Sequence, residues 1–401
     1  MRHLIWAGIA LSAACGSSEP ATTAMVRDSA GIRIVESHEP AWSEGDAWRV
    51  SEGPTRSFGS ADGRDGVAFD RLAGVYLLDG DRVAVLDNGA SQVMIFGTGG
   101  EPFSTFGRAG EGPGEFRSLA FLGLQTDSLW ILDGRQMRIA VLDTRSGRFR
   151  EMRADLRNLA MGPVGLLSDG SPVVASNLAF STALDEAPPA GFQRFRASYH
   201  RIDALGASSD TVVVTPGAEL MLRYGDGTVE ILRPFVARAV SHAIRGDELV
   251  QGVQTEYEIS IYGTDGALRS VIRRPGVDLT LDDQQYEAAV EERVAAAPEQ
   301  ARAGIRNLYL TEVRPERIPA YARFLVDSEG HLWVQDFAYH GEARRWSVFD
   351  PAGAWLGVVE LPESFEMTHV LSDRIAGIWR DELDIEYARV YALERGPVRA
   401  R

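Results

Sequence analysis

Short apolar runs alternate with polar residues in a pattern that recurs along the chain, most clearly over residues 77–107, 124–153 and 324–361. Within each stretch the positions alternate as in half-buried β-strands, and glycine-rich or polar turns separate the runs. The aspartates that end equivalent runs, Asp87 and Asp133, lie 46 residues apart. A period of about 40 to 50 residues with several strands per unit is typical of propeller blades, because a single four-stranded sheet leaves both faces uncovered.

Six units follow this template, so the predicted fold class is an all-β, six-bladed β-propeller. We expect the blades at about 70–106, 117–156, 161–216, 236–279, 320–361 and 365–395. An irregular stretch over 183–196 interrupts the third blade. Two short alternating runs, 31–37 and 47–51, are expected to be strands that lead into the first blade.

A small helical insertion is predicted between blades four and five, at about 280–310, where the apolar period changes from two to that of a helix. Thr280 is expected to cap a first helix that continues to Pro298, and a second short helix is expected over 299–310. This connection emerges on the same rim as the glycine-rich loop 107–116. Two arrangements are open: the helices cover the central channel, or they pack on the edge of a blade.

The chain begins with the pattern of an export signal. A basic start precedes an apolar run from Leu4 to Ala14, which is too short to span a bilayer as a mature helix. The only cysteine, Cys15, follows at once and precedes a small polar segment. This arrangement resembles a bacterial lipoprotein signal, although Ser12 stands where that pattern prefers leucine.

The expected organisation of the chain follows from that start. Residues 1–14 are predicted to be a signal peptide, 15–30 a tether and 31–401 the propeller. Cys15 is the predicted lipidation site, so contact with the membrane is expected through a lipid anchor only. The alternative is an ordinary secretory signal that is cleaved near Ala14.

Composition and charge exclude several classes of function. The net charge of −16 repels polyanions, so we expect no nucleic-acid partner. All 41 basic side chains are arginines, which excludes Schiff-base and PLP-lysine chemistry and a Walker-type phosphate site. The motifs G-x-S-x-G, H-E-x-x-H and C-x-x-C do not occur. No catalytic residue is therefore predicted, and the protein is more readily interpreted as a non-enzyme.

Three segments resemble a known family. The loop over 107–116 is similar to the G-x-x-G-x-G-x-G-x-F link between blades of NHL-type six-bladed propellers, and it contains Gly107, Gly110, Gly112, Pro113, Gly114, Glu115 and Phe116. Residues 346–362 resemble the closing strands of such a blade, and 365–395 resemble the last blade of exported bacterial members. The resemblance covers most of the chain from Gly31 onward. It implies the fold and says little about activity, because such propellers include scaffolds, sensors, lyases and lactonases.

The candidate ligand-binding residues lie in loops at one predicted rim, where propellers usually bind. They are Arg108, Glu111, Glu115, Asp133, Arg135, Asp336, Tyr339, His340, Trp379 and Arg380. Structural roles are the alternative for several of them. The three aspartates at one repeat position (87, 133 and 336) are expected to hydrogen-bond turn backbone in their own blades. The charged residues of the glycine-rich loop are expected to form solvated ion pairs.

Two histidines, His242 and His369, fall on the predicted inner strands of blades four and six. Hydrogen bonding within the core is the expected role, because no third histidine aligns with them on another inner strand. We expect no cofactor. The alternative is one divalent metal ion, Ca or Zn, held in the channel with help from these two side chains.

The sequence therefore predicts an exported, lipid-anchored propeller at the cell envelope, on the periplasmic side or at the outer membrane. Its expected function is that of a non-catalytic binding module for a peptide, glycan or protein partner. The main alternative is a metal-dependent lactonase- or lyase-like enzyme with its site in the central channel. A purely structural envelope protein is the third hypothesis.

Overall fold

The computed structural model describes residues 24–396 except 44, 62, 64–66, 100–101, 153–160, 178–188, 204–208, 226–227, 235 and 340–343. The predicted signal peptide and Cys15 lie outside the described residues. Four short strands precede the first blade: β1 (Ala24–Ser29), β2 (Ile32–Ser37), β3 (Arg49–Val50) and β4 (Arg56–Phe58).

The first two blades are four-stranded antiparallel sheets. Blade one consists of β5 (Leu72–Leu78), β6 (Arg82–Asp87), β7 (Gln92–Phe96) and β8 (Pro102–Phe106). The connection to the next blade contains a two-residue parallel ladder of β9 (Arg108–Ala109) and β10 (Glu115–Phe116). Blade two consists of β11 (Ala120–Gln125), β12 (Ser128–Asp133), β13 (Arg138–Asp143) and β14 (Phe149–Met152).

Blade three is the largest and exceeds its predicted end. It consists of β15 (Met161–Leu166), β16 (Pro172–Asn177), β17 (Gly191–Ile202), β18 (Ser209–Gly225) and β19 (Thr228–Leu232). Part of the stretch 183–196, predicted to be irregular, is strand, because β17 begins at Gly191 and pairs with β18. Blade four consists of β20 (Ser241–Arg245), β21 (Glu248–Gly252), β22 (Glu258–Gly263) and β23 (Leu268–Arg273).

Two helices, α1 (Asp283–Ala296) and α2 (Glu299–Asn307), and a π-helical turn (Leu308–Glu312) connect blades four and five. Blade five consists of β24 (Phe324–Val326), β25 (Leu332–Gln335), β26 (Arg345–Phe349) and β27 (Trp355–Glu360). Blade six consists of β28 (Phe365–Val370), β29 (Arg374–Arg380) and β30 (Glu386–Glu394). The predicted cap of α1 is wrong: Asp282, not Thr280, accepts the hydrogen bond from the N–H of Gln285, at 2.8 Å.

The six sheets form a closed ring. Each inner strand contacts the inner strand of the next blade, and β28 contacts β5. The protein is thus an all-β, six-bladed β-propeller, as the sequence predicts. We call the face at which the inner strands begin the upper face.

Residues 32–37 and 49–50 are strands, as the sequence predicts, but neither strand joins blade one. Both β3 and β4 pair with β30 and complete blade six, whereas β2 pairs in parallel with β23 of blade four. In addition, β1 lies within the predicted tether and pairs with β2. Alternation of apolar and polar residues identifies a strand, but it does not identify which sheet edge the strand joins.

Every blade buries both of its faces. In β6, Val83 and Val85 pack toward blade six, while Ala84 and Leu86 pack toward blade two. All four side chains are fully buried. Similar apolar cores fill each of the other interfaces between neighbouring blades. A fully buried valine or leucine contributes about 1.5–3 kcal/mol, so these interfaces stabilise the ring.

Phe58 on β4 provides a test of the ring closure. Its buried ring lies 4.4 Å from that of Phe96, between blades six and one. We expect Phe58→Ala to lower the free energy of unfolding by about 3–5 kcal/mol in chemical denaturation, because it opens a cavity at this interface. Phe103→Ala removes an exposed ring from β8 and should change stability by less than about 0.5 kcal/mol. Equal effects of the two substitutions would contradict a closure through β4.

Candidate functional site

The upper face carries all predicted ligand-binding residues that the structure describes. The strand register explains this placement: Leu72 at the start of β5 pairs with Asp87 at the end of β6, and Phe365 pairs with Trp379. The connections between blades therefore share this face with the turns that join the second and third strands. His340 lies outside the described residues.

The glycine-rich link pairs its own charges, as the sequence predicts. Arg108 and Glu115 form an ion pair at 2.7 Å, and Glu115 accepts a hydrogen bond from the backbone N–H of Gly112 at 2.8 Å. The hydrogen bond from Gly112 lowers the pKa of Glu115 most, and the contact with Arg108 lowers it further. Glu111 pairs with Arg117 at 2.5 Å.

Asp133 is a structural carboxylate. It is fully buried and accepts hydrogen bonds from the backbone N–H groups of Arg117, Arg135 and Gln136, at 2.9, 3.2 and 3.1 Å. Asp87 accepts turn N–H groups in the same way in blade one. Arg135 extends into a cavity of about 600 Å³ beside the glycine-rich link.

Asp336, at the same repeat position in blade five, has other partners among the described residues. Its carboxylate accepts a hydrogen bond from the Oγ of Ser347 at 2.9 Å and lies 3.9 Å from Arg274. Burial raises its pKa. Only four residues separate the second and third strands in blades one and two, whereas residues 336–344 separate them in blade five.

The helices form a separate cavity with blade five. Tyr339 and α1 line a space of about 340 Å³. Buried residues of α1 pack against the extended hairpin of blade three and against Phe337 and Tyr339. The lining of the channel includes no helical residue among those described. This arrangement favours packing at blade edges over covering the channel.

Trp379 and Arg380 border another cavity, of about 540 Å³. The guanidinium of Arg389 lies 3.3 Å from the ring centre of Trp379. Arg380 donates a hydrogen bond to Glu386 at 2.7 Å. The predicted ligand-binding residues thus share a face but not a single cavity.

The central channel is a cavity of about 550 Å³ that is lined by the inner strands of all six blades. Its lining includes none of the predicted rim residues, but it includes both predicted histidines. Its main polar side chains are His242, Arg323, Glu366, Thr368 and His369.

Both histidines link neighbouring inner strands. The Nδ1 of His369 accepts the backbone N–H of Leu77 in blade one at 3.0 Å, so the proton of the neutral ring is on Nε2. The Nε2 of His242 donates to the carbonyl oxygen of Pro163 in blade three at 3.2 Å. Its Nδ1 is buried without a hydrogen-bond partner in the described part of the chain.

Arg323 and Glu366 were missed by sequence reasoning. The Nε of Arg323 donates to the side chain of Gln335 at 2.9 Å, and its Nη2 donates to the carbonyl of Met367 in the next blade at 2.6 Å. Burial lowers the pKa of Arg323. The only available signal was position, because Arg323 immediately precedes one inner strand and Glu366 is the second residue of another.

Among the described residues, no three His, Cys, Asp or Glu side chains are grouped closely enough to hold a metal ion. In the same part of the chain, no helix combines the length and apolar character that crossing a membrane requires.

Comparisons with known proteins agree with the architecture. The family model DUF5128, described as a 6-bladed beta-propeller, matches residues 63–170. No curated protein matches the chain. A Bacteroides fragilis protein described as exported is 12% identical, with a TM-score of 0.48 and coverage of 91% of this chain and 99% of that one.

Two other solved structures have a similar degree of likeness. A member of the duf4221 family from Bacteroides vulgatus is 8% identical, with a TM-score of 0.49 and coverage of 88% of this chain and 100% of that one. Virginiamycin B lyase from Staphylococcus aureus is 10% identical, with a TM-score of 0.40 and coverage of 80% and 94%. Such distant likenesses carry no argument about activity.

The channel histidines predict a pH dependence of stability. Burial lowers the pKa of His242 and of His369 to about 4, so both are neutral in the folded protein, whereas the unfolded chain takes up these protons near the ordinary value of 6.5. The contribution of the two neutral histidines to the free energy of unfolding is therefore fully present above pH 6.5. It is lost as the pH falls toward 4, because protons then bind more strongly to the unfolded chain. We expect His369→Gln to reduce this loss by on the order of 2–3 kcal/mol, measured by denaturation at several pH values. If the free energy of unfolding falls equally with pH in the variant and in the wild type, the predicted role of His369 is wrong.

Proposed function

We propose that this protein is a non-catalytic binding module that holds a peptide, glycan or protein partner through the upper face of its propeller. The channel cavity carries this proposal. Its volume of about 550 Å³ lies within the usual range for ligand sites, about 300–1,000 Å³. Different blades supply its polar side chains, and close interblade packing preorganises them, which lowers the entropic cost of binding.

We also propose that the chain is an NHL-type propeller that is exported and lipid-anchored at the cell envelope. The glycine-rich link supports the first point, since Gly107 and Gly114 have φ angles of +90° and +71°, which favour glycine. The signal-like start and Cys15 support the second.

A metal-dependent lactonase- or lyase-like enzyme is the second candidate. One observation favours it: the Nδ1 of His242 is buried in the channel wall without a hydrogen-bond partner among the described residues. A lone pair in that position can ligate a divalent ion, Ca or Zn, if other ligands are nearby.

Ligand panels and metal analysis test the binding module against the enzyme. We expect the purified protein to be free of stoichiometric metal and to be stabilised in thermal shift by members of a panel of tetrapeptides and disaccharides. At least one substitution of a polar side chain that lines the channel, Arg323→Gln or Thr368→Ala, should weaken that binding about tenfold or more.

Arg269→Ala, at an exposed position of β23 next to the hairpin turn on the opposite face, is the matched control and should bind as wild type does. Equal weakening by this control would contradict a site on the upper face. A stoichiometric ion that is lost in His242→Ala and His369→Ala would instead support the enzyme.

Lipid anchoring is tested at Cys15. We expect Cys15→Ser to move the protein from the membrane fraction to the soluble fraction, because acyl chains and not a protein helix would hold it there. Cell fractionation with mass spectrometry of the N-terminal peptide measures this. An unmodified N-terminal peptide from the wild-type protein would contradict the lipoprotein interpretation.

A further inference from the structure

We propose that the channel mouth between blades five and six binds one carboxylate group of the ligand, through Arg323, Arg344 and Arg380. This inference rests on the proposed binding function and specifies the chemistry of the ligand. Arg323 lines the channel, and the other two arginines reach the same place from the rim.

The three guanidinium groups surround Glu366 without hydrogen-bonding to it. The closest Glu366 oxygen is 3.5 Å from Arg323, 3.8 Å from Arg344 and 3.6 Å from Arg380. Charge-assisted hydrogen bonds between these groups are shorter, at about 2.7–2.9 Å. Glu366 therefore leaves N–H donors of all three arginines available to a second acceptor.

The arginines differ in how the protein holds them. Arg323 is fixed by its hydrogen bonds to Gln335 and to the backbone of blade six. Arg380 is held by Glu386, which also accepts the backbone N–H of Leu72 at 2.6 Å. Arg344 makes no hydrogen bond through its side chain in the described part of the chain, so it is the donor most available to a ligand.

The cluster has an uncompensated positive charge. Among the described residues, the three arginines face two carboxylates, those of Glu366 and Glu386, which leaves one net positive charge. The guanidinium side chains are only about one-third exposed, at 33%, 35% and 34%. Partial burial strengthens electrostatic attraction relative to water, so an anion placed here would be stabilised.

The chemistry of the site selects a ligand with a single carboxylate. Arginine side chains match the planar, two-oxygen geometry of this group. One excess positive charge balances one carboxylate, and the protein's net charge of −16 repels a polyanion. The channel volume of about 550 Å³ admits a small molecule or the end of a chain.

Isothermal titration calorimetry of the full chain at low salt and pH 7 tests this proposal with matched probes. N-acetylalanine is compared with its neutral amide, and D-glucuronate with D-glucose. Inorganic phosphate is a further probe. We expect at least one carboxylate to bind and its neutral partner to bind about tenfold more weakly or not at all. The first pair represents a peptide terminus and the second an acidic sugar, so the result also distinguishes these sources.

Three variants locate the site. Arg344→Gln should weaken carboxylate binding about tenfold or more, whereas Glu366→Gln should strengthen it, because this substitution removes a competing negative charge. Arg345→Gln is the matched control and should have no effect. The side chain of Arg345 is exposed and lies 3.7 Å from Glu360 on the outer strand of the same blade. Opposite effects at Arg344 and Glu366 cannot arise from a common loss of folding.

Several results would overturn the proposal. Binding of phosphate without binding of a carboxylate would do so, as would a loss of affinity in Glu366→Gln or equal losses in Arg344→Gln and Arg345→Gln. If neutral probes bind at the upper face with affinities that do not depend on Arg344, the carboxylate inference fails while the binding module stands. If no probe here and no member of the peptide and saccharide panel binds, both fail.

Discussion

The structure depends on the burial of both faces of every blade. Successive residues of one strand belong to two different cores, as Val83 and Ala84 of β6 do, so no blade is complete without both neighbours. A row of such sheets always leaves two apolar faces exposed, and only a closed ring removes them. The pairing of β4 with β30 and the insertion of Phe58 beside Phe96 meet this requirement.

Ring closure also determines the shape of the channel. Six inner strands lie so close together that a Cβ atom added to Gly123 would lie 2.5 Å from the side chain of Leu166 in the next blade. The inner strands of blades two and six each contain a shift in register at an equivalent position. Gly123 follows this shift in blade two, and His369 follows it in blade six. The Nδ1 of His369 accepts a hydrogen bond from the backbone of blade one, so hydrogen bonds between blades add to the packing of the channel wall.

On the upper face, the charged groups of the glycine-rich link are paired in direct contact, whereas Glu366 at the channel mouth is not. In the glycine-rich link, Arg108 and Glu115 are in direct contact, and such exposed pairs contribute at most about 1 kcal/mol. At the channel mouth, Glu366 has three arginine neighbours at 3.5 Å or more and hydrogen-bonds with none of them. The glycine-rich link therefore has little capacity for a further ligand, whereas the channel mouth retains donors and positive charge.

The sequence by itself determined what depends on neighbouring residues: the alternation that makes strands, the turns between them, the number of blades, and the capping role of Asp87 and Asp133. It did not determine that β2 joins blade four, that β4 closes blade six, or that Asp336 lies beside Arg274 and Ser347. Nor did it bring Arg323 and Glu366 together. Those outcomes belong to the tertiary structure, because alternation specifies which side of a strand is buried, whereas partners from distant segments are chosen by ring closure.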